Sequence, residues 1–256
     1  MLKIERQNII EREINKQGFV LVPTLGELFN CSEETVRRDL KEMETEGKLI
    51  RTHGGAYLIE KYDKSYPTKL RKSYMSRTKE HMAALALAHI RDNEVIMIDS
   101  STTCMALAEA LVQSQKPLTV VTNSLQIATY CDNNNTNINL VCVGGTFRKR
   151  TSSFADQHSV DLLRQFRADR AFISCPKMTL EYGLSDNHNS EARVREAMLR
   201  QAKFKAVLMD HTKFDESANI LFDGLENLDL IISDYKLPEE WENFASRNGI
   251  SVEYTD

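Results

Sequence analysis

Residues 32–56 constrain the fold more than any other segment, because they set a short amphipathic helix directly against a glycine-tipped hairpin. Ser32 suits a helix N-cap, where its hydroxyl accepts from the unpaired N–H groups of the first turn. Val36, Leu40 and Met43 recur at helical spacing and define one apolar face. Arg37, Arg38 and Lys41 fall on the faces that remain, two of them planar forks suited to phosphates and guanine edges. Gly47 stops the helix, and residues 48–51 and 56–59 can pair as a hairpin around His53, Gly54 and Gly55.

The preceding residues complete the module. Ile4, Ile9, Ile10 and Ile14 mark a first amphipathic helix ended by Gly18. Thr24 and Glu27 have the spacing of a capping box for a short second helix reaching about Phe29. Asn30 and Cys31 then form the tight turn before the third helix. The expectation is a winged helix-turn-helix over residues 1–60, with Val20, Leu25, Leu28, Val36 and Leu40 in its core. Thr24, Ser32, Thr35, Arg37, Arg38, Lys41, Arg51, His53, Gly54 and Gly55 are the candidate contacts to double-stranded DNA. The competing reading, a three-helix protein-interaction domain, leaves the wing without a use.

Charge enters here because the sum points the other way. The net charge is −4, and residues 1–61 carry ten Lys/Arg against eleven Asp/Glu. The positive charge is local instead, on Arg37, Arg38, Lys41, Lys48 and Arg51. Phosphates sense charge within about 8 Å at physiological salt, so placement outweighs the total. The N-terminus is charged from Lys3 onward, unlike a signal peptide, and the apolar runs are short. Five scattered cysteines and six dispersed histidines form no metal spacing and read as reduced thiols in a cytoplasmic protein. No cofactor is expected.

Residues 61–76 lack an apolar period, contain Pro67 and carry Lys64, Lys69, Arg71 and Lys72. They read as a linker whose charge can touch the DNA backbone. From Arg77 to the C-terminus, helical and strand-like segments alternate. Helices are expected at 81–89, 102–112, 125–131, 156–165 and 190–202, and strands at 94–98, 118–121, 138–143, 170–173, 206–209, 228–232 and 250–254. Short β-branched runs separated by helices indicate an α/β domain over 77–256 with a mainly parallel sheet covered on both faces.

In such a sheet the C-terminal strand ends share one edge, so residues just after the strands converge. These are Asp99, Ser100, Ser101, Thr102 and Thr103; Thr122, Asn123 and Ser124; Gly144, Gly145 and Arg148; and Lys213. Hydroxyls at a helix N-terminus, a paired glycine and two cations suit a small phosphorylated, polyhydroxylated molecule. Each piece alone reads better as a cap or a turn, and it is their gathering on one edge that points to a ligand site.

Thr35-Val-Arg-Arg-Asp-Leu40, followed by Leu49-Ile-Arg-Thr-His-Gly-Gly-Ala56, resembles the DNA-binding signature of the DeoR family of bacterial transcriptional regulators. Asp99-Ser-Ser-Thr-Thr103, Val121-Thr-Asn-Ser124, Val143-Gly-Gly145, Arg167-Ala-Asp-Arg-Ala-Phe172 and Leu208-Met-Asp-His-Thr-Lys-Phe214 are similar to landmarks of that family's effector domain. The resemblance implies a sensor fold related to ribose-5-phosphate isomerase and an effector that is a phosphorylated sugar or sugar-pathway intermediate. It further implies a repressor of a carbohydrate-utilisation operon, acting on operator DNA as a homodimer or homotetramer, away from any membrane. The alternative is an isomerase-like enzyme with a DNA-binding appendage. The chain departs from the family pattern at Ser101, at Ala155-Asp156 and at Ser174-Cys-Pro-Lys177. The last of these replaces an Asp-Gly pair and removes a carboxylate base, which argues against catalysis.

Overall fold

Helix α1 (Lys3–Gln17) buries Ile10 and Ile14 along one stripe and ends at Gly18, whose φ is 81°. The computed structural model describes residues 1–52, 54–58, 71–72 and 75–255, and the chain divides into two units, Met1–Met75 and Ser76–Asp256. In the first unit α1 leads into strand β1 (Phe19–Leu21), helix α2 (Val22–Phe29) and helix α3 (Glu33–Thr45). Strands β2 (Ile50–Thr52) and β3 (Gly55–Tyr57) form the hairpin. All three strands are antiparallel, in the order β1-β3-β2. Ile10, Ile14, Val20, Leu25, Phe29, Val36, Leu40 and Met43 close one core.

Three expectations fail in this unit. Helix α2 starts at Val22 with Pro23 in its first turn, so Thr24 lies inside the helix and caps nothing. Val22, Leu25, Gly26 and Phe29, at i, i+3, i+4 and i+7, form the inward stripe, and Leu28 lies off it, 56% exposed. Ile4 is likewise exposed, at the solvent side of α1. Strand β1 is not in the sequence reading, because three residues between two helices carry no period. The turn at Asn30 (φ 49°) and the stop at Gly47 (φ 72°) are as expected. Of the segment 61–76 only Arg71, Lys72, Met75 and Ser76 are among the described residues, and Arg71 is buried.

The second unit opens with α4 (Ser76–Ala88), followed by β4 (Val95–Ile98), α5 (Thr102–Ser114), β5 (Leu118–Thr122), α6 (Leu125–Asp132) and β6 (Ile138–Cys142). A short hairpin of β7 (Phe147–Arg148) and β8 (Ser153–Phe154) precedes α7 (Gln157–Leu163) and β9 (Ala168–Ile173). Then come β10 (Lys177–Thr179), β11 (Gly183–Asp186), α8 (Asn189–Gln201) and β12 (Ala202–Met209). The unit closes with β13 (Ile220–Asp223), β14 (Leu230–Ser233), α9 (Glu239–Asn248) and β15 (Ser251–Tyr254).

Seven strands, ordered β15-β14-β12-β9-β4-β5-β6, form one sheet in which every pair is parallel. Side chains alternate across it, as the pleat requires. Ile96, Ile98, Phe172 and Leu208 join Met82, Leu107, Leu111 and Ile127 from α4, α5 and α6. Met97, Ile173, Val207 and Met209 join Leu163, Val194, Met198 and Trp241 on the opposite face. Three features go beyond the expected pattern: helix α9, hairpin β7-β8, and a second antiparallel sheet ordered β10-β11-β13.

Candidate nucleic-acid interface and strand-end site

Helix α3 is capped as its sequence suggests, with Ser32 Oγ accepting from the Thr35 N–H at 3.3 Å. Val36, Leu40 and Met43 hold its inner face in the core, and Arg38 and Lys41 are exposed on the outer one. Asp39 is fully buried in a pair with Arg6 of α1, through Nε to Oδ2 at 2.6 Å and Nη2 to Oδ1 at 3.2 Å. This pair fixes the rotation of α3 about its own axis, and sequence reasoning missed it.

The basic residues differ in how far they are committed. Arg37 donates to Glu33 one turn back at 2.8 Å. Lys48 lies 3.0 Å from Glu46. Arg51 is held by Glu44. Arg38 and Lys41 make no hydrogen bond or ion pair among the described residues. Thr24 is exposed, Gly54 is half-buried with its carbonyl accepting from the Val22 N–H at 3.0 Å, and His53 lies outside the described residues. Gly55 is buried opposite Leu21, and a Cβ there would stand 2.0 Å from the Val20 carbonyl oxygen. Only glycine permits β1 and β3 to approach this closely.

In the second unit the C-terminal ends of β12, β9, β4, β5 and β6 lie in that order along one edge. At the centre is Asp99, buried, with Oδ1 accepting from the Ser174 N–H at 3.3 Å and Oδ2 from Arg195 Nε at 2.7 Å. Arg195 also donates to the Ser174 carbonyl at 3.1 Å and to Asp186, and lies 3.9 Å from Glu191. Burial pulls the Arg195 pKa down, but Asp99, Asp186 and Glu191 together hold it above its ordinary value. Lys213 donates to Ser174 Oγ at 2.8 Å and pairs with Asp210 at 3.1 Å. Asp210 is buried, which alone would raise its pKa, yet Lys213 and the Thr212 hydroxyl keep it well below the carboxylate range.

On the other side Glu191, also buried, accepts from Ser153 Oγ at 2.7 Å and Thr151 Oγ1 at 2.8 Å, with Arg148 Nε at 3.3 Å. Arg148 donates from Nη1 to Ser190 Oγ at 2.9 Å. A continuous polar chain therefore joins Arg148 to Lys213 through Glu191, Arg195, Asp99 and Ser174. Glycine serves close packing at Gly145 (φ 134°), where a Cβ would meet Ser159 Oγ at 2.3 Å and Asp156 Oδ1 at 2.5 Å. Asp156 caps α7 by accepting from the Ser159 N–H at 2.9 Å and also accepts from the Thr146 hydroxyl and N–H, donors that together hold its pKa well down.

The hydroxyls expected at this edge divide into two groups. Ser101 and Ser124 cap α5 and α6, and Thr122 donates to the Ile98 carbonyl at 2.7 Å while accepting from the Ser124 N–H. Those three are spent within the protein. Ser100, Thr102 and Thr103 are no more than 7% exposed, and their hydroxyls make no hydrogen bond among the described residues. Asn123 donates from Nδ2 to the Phe154 carbonyl at 3.0 Å, and its buried Oδ1 has no hydrogen-bond partner. Gly144 accepts through its carbonyl from Ser159 Oγ at 2.7 Å. The sequence reading missed Asp186, Glu191 and Arg195 altogether. Among the described residues there is no cluster suited to a metal ion and no helix long and apolar enough to cross a membrane.

Comparison with known proteins matches both units. A family model described as a DeoR-like helix-turn-helix domain covers residues 6–62, and one described as a DeoR C terminal sensor domain covers residues 75–235. The chain is 28% identical to the HTH-type transcriptional regulator IolR of Bacillus subtilis (strain 168), over 98% of this chain and 99% of the relative. It is 30% identical to the HTH-type transcriptional regulator GolR of Listeria innocua, over 93% and 92%. To the glycerol-3-phosphate regulon repressor of Escherichia coli (strain K12) it is 28% identical, over 93% of each. Among solved structures it is similar to ribose 5-phosphate isomerase A from Neisseria gonorrhoeae, with 15% identity, a TM-score of 0.40, and coverage of 57% and 55%.

Proposed function

The chain belongs to the DeoR family of transcriptional regulators, and from that premise we propose that it is a cytoplasmic repressor whose hold on operator DNA is set by a phosphorylated sugar at the strand-end edge. Arg38 and Lys41, exposed on α3, supply base and phosphate contacts, with Ser32, Thr35 and Arg37 at the helix N-terminus and Arg51 to Gly55 on the wing. The protein acts as a symmetric oligomer, because one winged module seldom binds tightly alone. A two-fold pair matches half-sites about 34 Å apart or a multiple of that.

The single observation that carries the effector reading is the trio Ser100, Thr102 and Thr103. Their hydroxyls make no hydrogen bond among the described residues and so stay available to a ligand, and on the same edge the buried Asn123 Oδ1 has no hydrogen-bond partner. They stand beside Asp99 at the N-terminus of the 13-residue helix α5, where N–H dipoles favour an anion. Arg148 and Lys213 flank them along the same edge. A relative named for glycerol 3-phosphate is consistent with a small phosphorylated ligand.

We read the site as a sensor without turnover. Proton abstraction needs a carboxylate available to substrate. Asp99 and Asp186 are both engaged by Arg195, Asp210 by Lys213, and Glu191 by Ser153 and Thr151.

The test is a thermal-shift screen of triose to hexose phosphates and their unphosphorylated counterparts. The expected result is a phosphorylated compound that raises the melting temperature of the parent but not of Thr102→Val, and that changes operator affinity. Turnover of any of them, or silence across the whole panel, refutes the sugar-phosphate half of the proposal.

A further inference from the structure

We propose that Glu44 is a positioning residue that presents Arg51 to the duplex as a two-pronged fork, an inference resting on the DNA-binding reading above. Glu44 lies in the last turn of α3, and Arg51 lies in β2, an edge strand of the sheet β1-β3-β2. Both oxygens of Glu44 are used on that one residue. Oε1 accepts from the Arg51 backbone N–H and Oε2 from Arg51 Nε, each at 2.8 Å. One carboxylate thus fastens the end of the recognition helix to the start of the wing and sets the plane of the guanidinium.

Which face of the guanidinium remains is the point. Arginine offers paired donors along its Nε side and along its Nη1–Nη2 side. With Nε taken, the Nη1–Nη2 edge of Arg51 has no partner among the described residues, and the side chain is a third exposed. Arg37 is the reverse case: Glu33 occupies its Nη2, through an i,i+4 pair at the surface. Arg38 feels the charge of Glu42 but makes no hydrogen bond among the described residues that would fix its plane. Arg51 therefore combines an open terminal edge with a fixed plane, and less conformational freedom is lost when it binds. The chemistry that fits is two adjacent acceptors, either guanine O6 and N7 or two oxygens of one phosphate.

The experiment uses the full chain and fluorescence anisotropy. Two labelled probes serve: a duplex selected by the parent from a random-sequence pool, and a scrambled duplex of the same composition. Arg51→Gln is expected to weaken the selected duplex roughly tenfold. Glu44→Gln leaves Arg51 in place yet is expected to lose about as much, and the double variant no more than either single one. A merely electrostatic role has the opposite sign, because removing a carboxylate beside a polyanion tightens binding. Glu44→Asp keeps the charge but shortens the arm, so its expected loss separates orientation from charge.

A loss confined to the selected duplex identifies the acceptors as a guanine edge. An equal loss on both probes, with a salt slope shallower by about one, identifies them as phosphate oxygens. Glu44 is half-exposed, so the variants are expected to melt within a few degrees of the parent. If Arg51→Gln weakens binding while Glu44→Gln and Glu44→Asp do not, the inference is overturned and the DNA reading stands. If Arg51→Gln itself has no effect, Arg51 leaves the interface and the inference goes with it.

Discussion

Replacing Arg195 by Met tests whether the strand-end network is held together by one cation. In the parent, Arg195 contacts Asp99 at 2.7 Å and Asp186, with Glu191 at 3.9 Å, and none of these carboxylates is more than 3% exposed. Methionine fills most of the volume but leaves three buried carboxylates without their shared counter-charge. Removing one partner of a buried pair costs about 3–5 kcal/mol. For a unit of this size, about 2–4 °C is lost per kcal/mol, so the sensor transition should fall by roughly 6–20 °C.

Adding Asp186→Asn should recover part of the loss in parallel thermal melts, because it removes one of the stranded carboxylates. A deficit below about 1 kcal/mol, or no recovery in the double variant, would refute the reasoning.

Three further outcomes are expected. Arg38→Ala should weaken a selected duplex by about 1–3 kcal/mol in anisotropy titrations, and equal affinity would remove Arg38 from the interface. Asp39→Asn leaves Arg6 buried beside a neutral amide and should cost the winged unit about 3–5 kcal/mol in urea unfolding; a change within error would mean that the pair does not hold α3. Asp156 and Asp210 have folded-state pKa values below their unfolded values of about 4. Their stabilisation is complete above about pH 4 and is lost as pH falls further, so the melting temperature should drop below pH 4 and Asp156→Asn should flatten that drop.

Much of the fold was legible because its strands are unbroken runs, such as 95–98 and 118–121, that both faces of a parallel sheet require. Strands β10, β11 and β13 were not, since three or four residues with polar members show no period long enough to read. The misplacement of Leu28 had a different cause: the Thr24–Glu27 spacing imitated a cap and left Val22 out of the helix, so the inward stripe Val22, Leu25, Gly26 and Phe29, from which Leu28 is absent, was not read. At the site, the strand-end residues were readable from their position, but the buried carboxylates of α8 and β11 were not. Glu191 and Arg195, spaced i,i+4, imitate a solvated surface pair. The available signal was register, since Arg195 shares its helix face with Ala192, Met198 and Leu199, all buried.

Gly55 gives the wing one immovable point. Any other residue there drives its Cβ into the Val20 carbonyl, so position 55 cannot change without separating β1 from β3. The exposed positions 38 and 41 carry no such restriction. A lineage built on this module keeps the backbone of the wing pinned at that point and is free to vary the side chains around it. Engineers who wish to redirect it should keep Gly55 and vary the side chains around it.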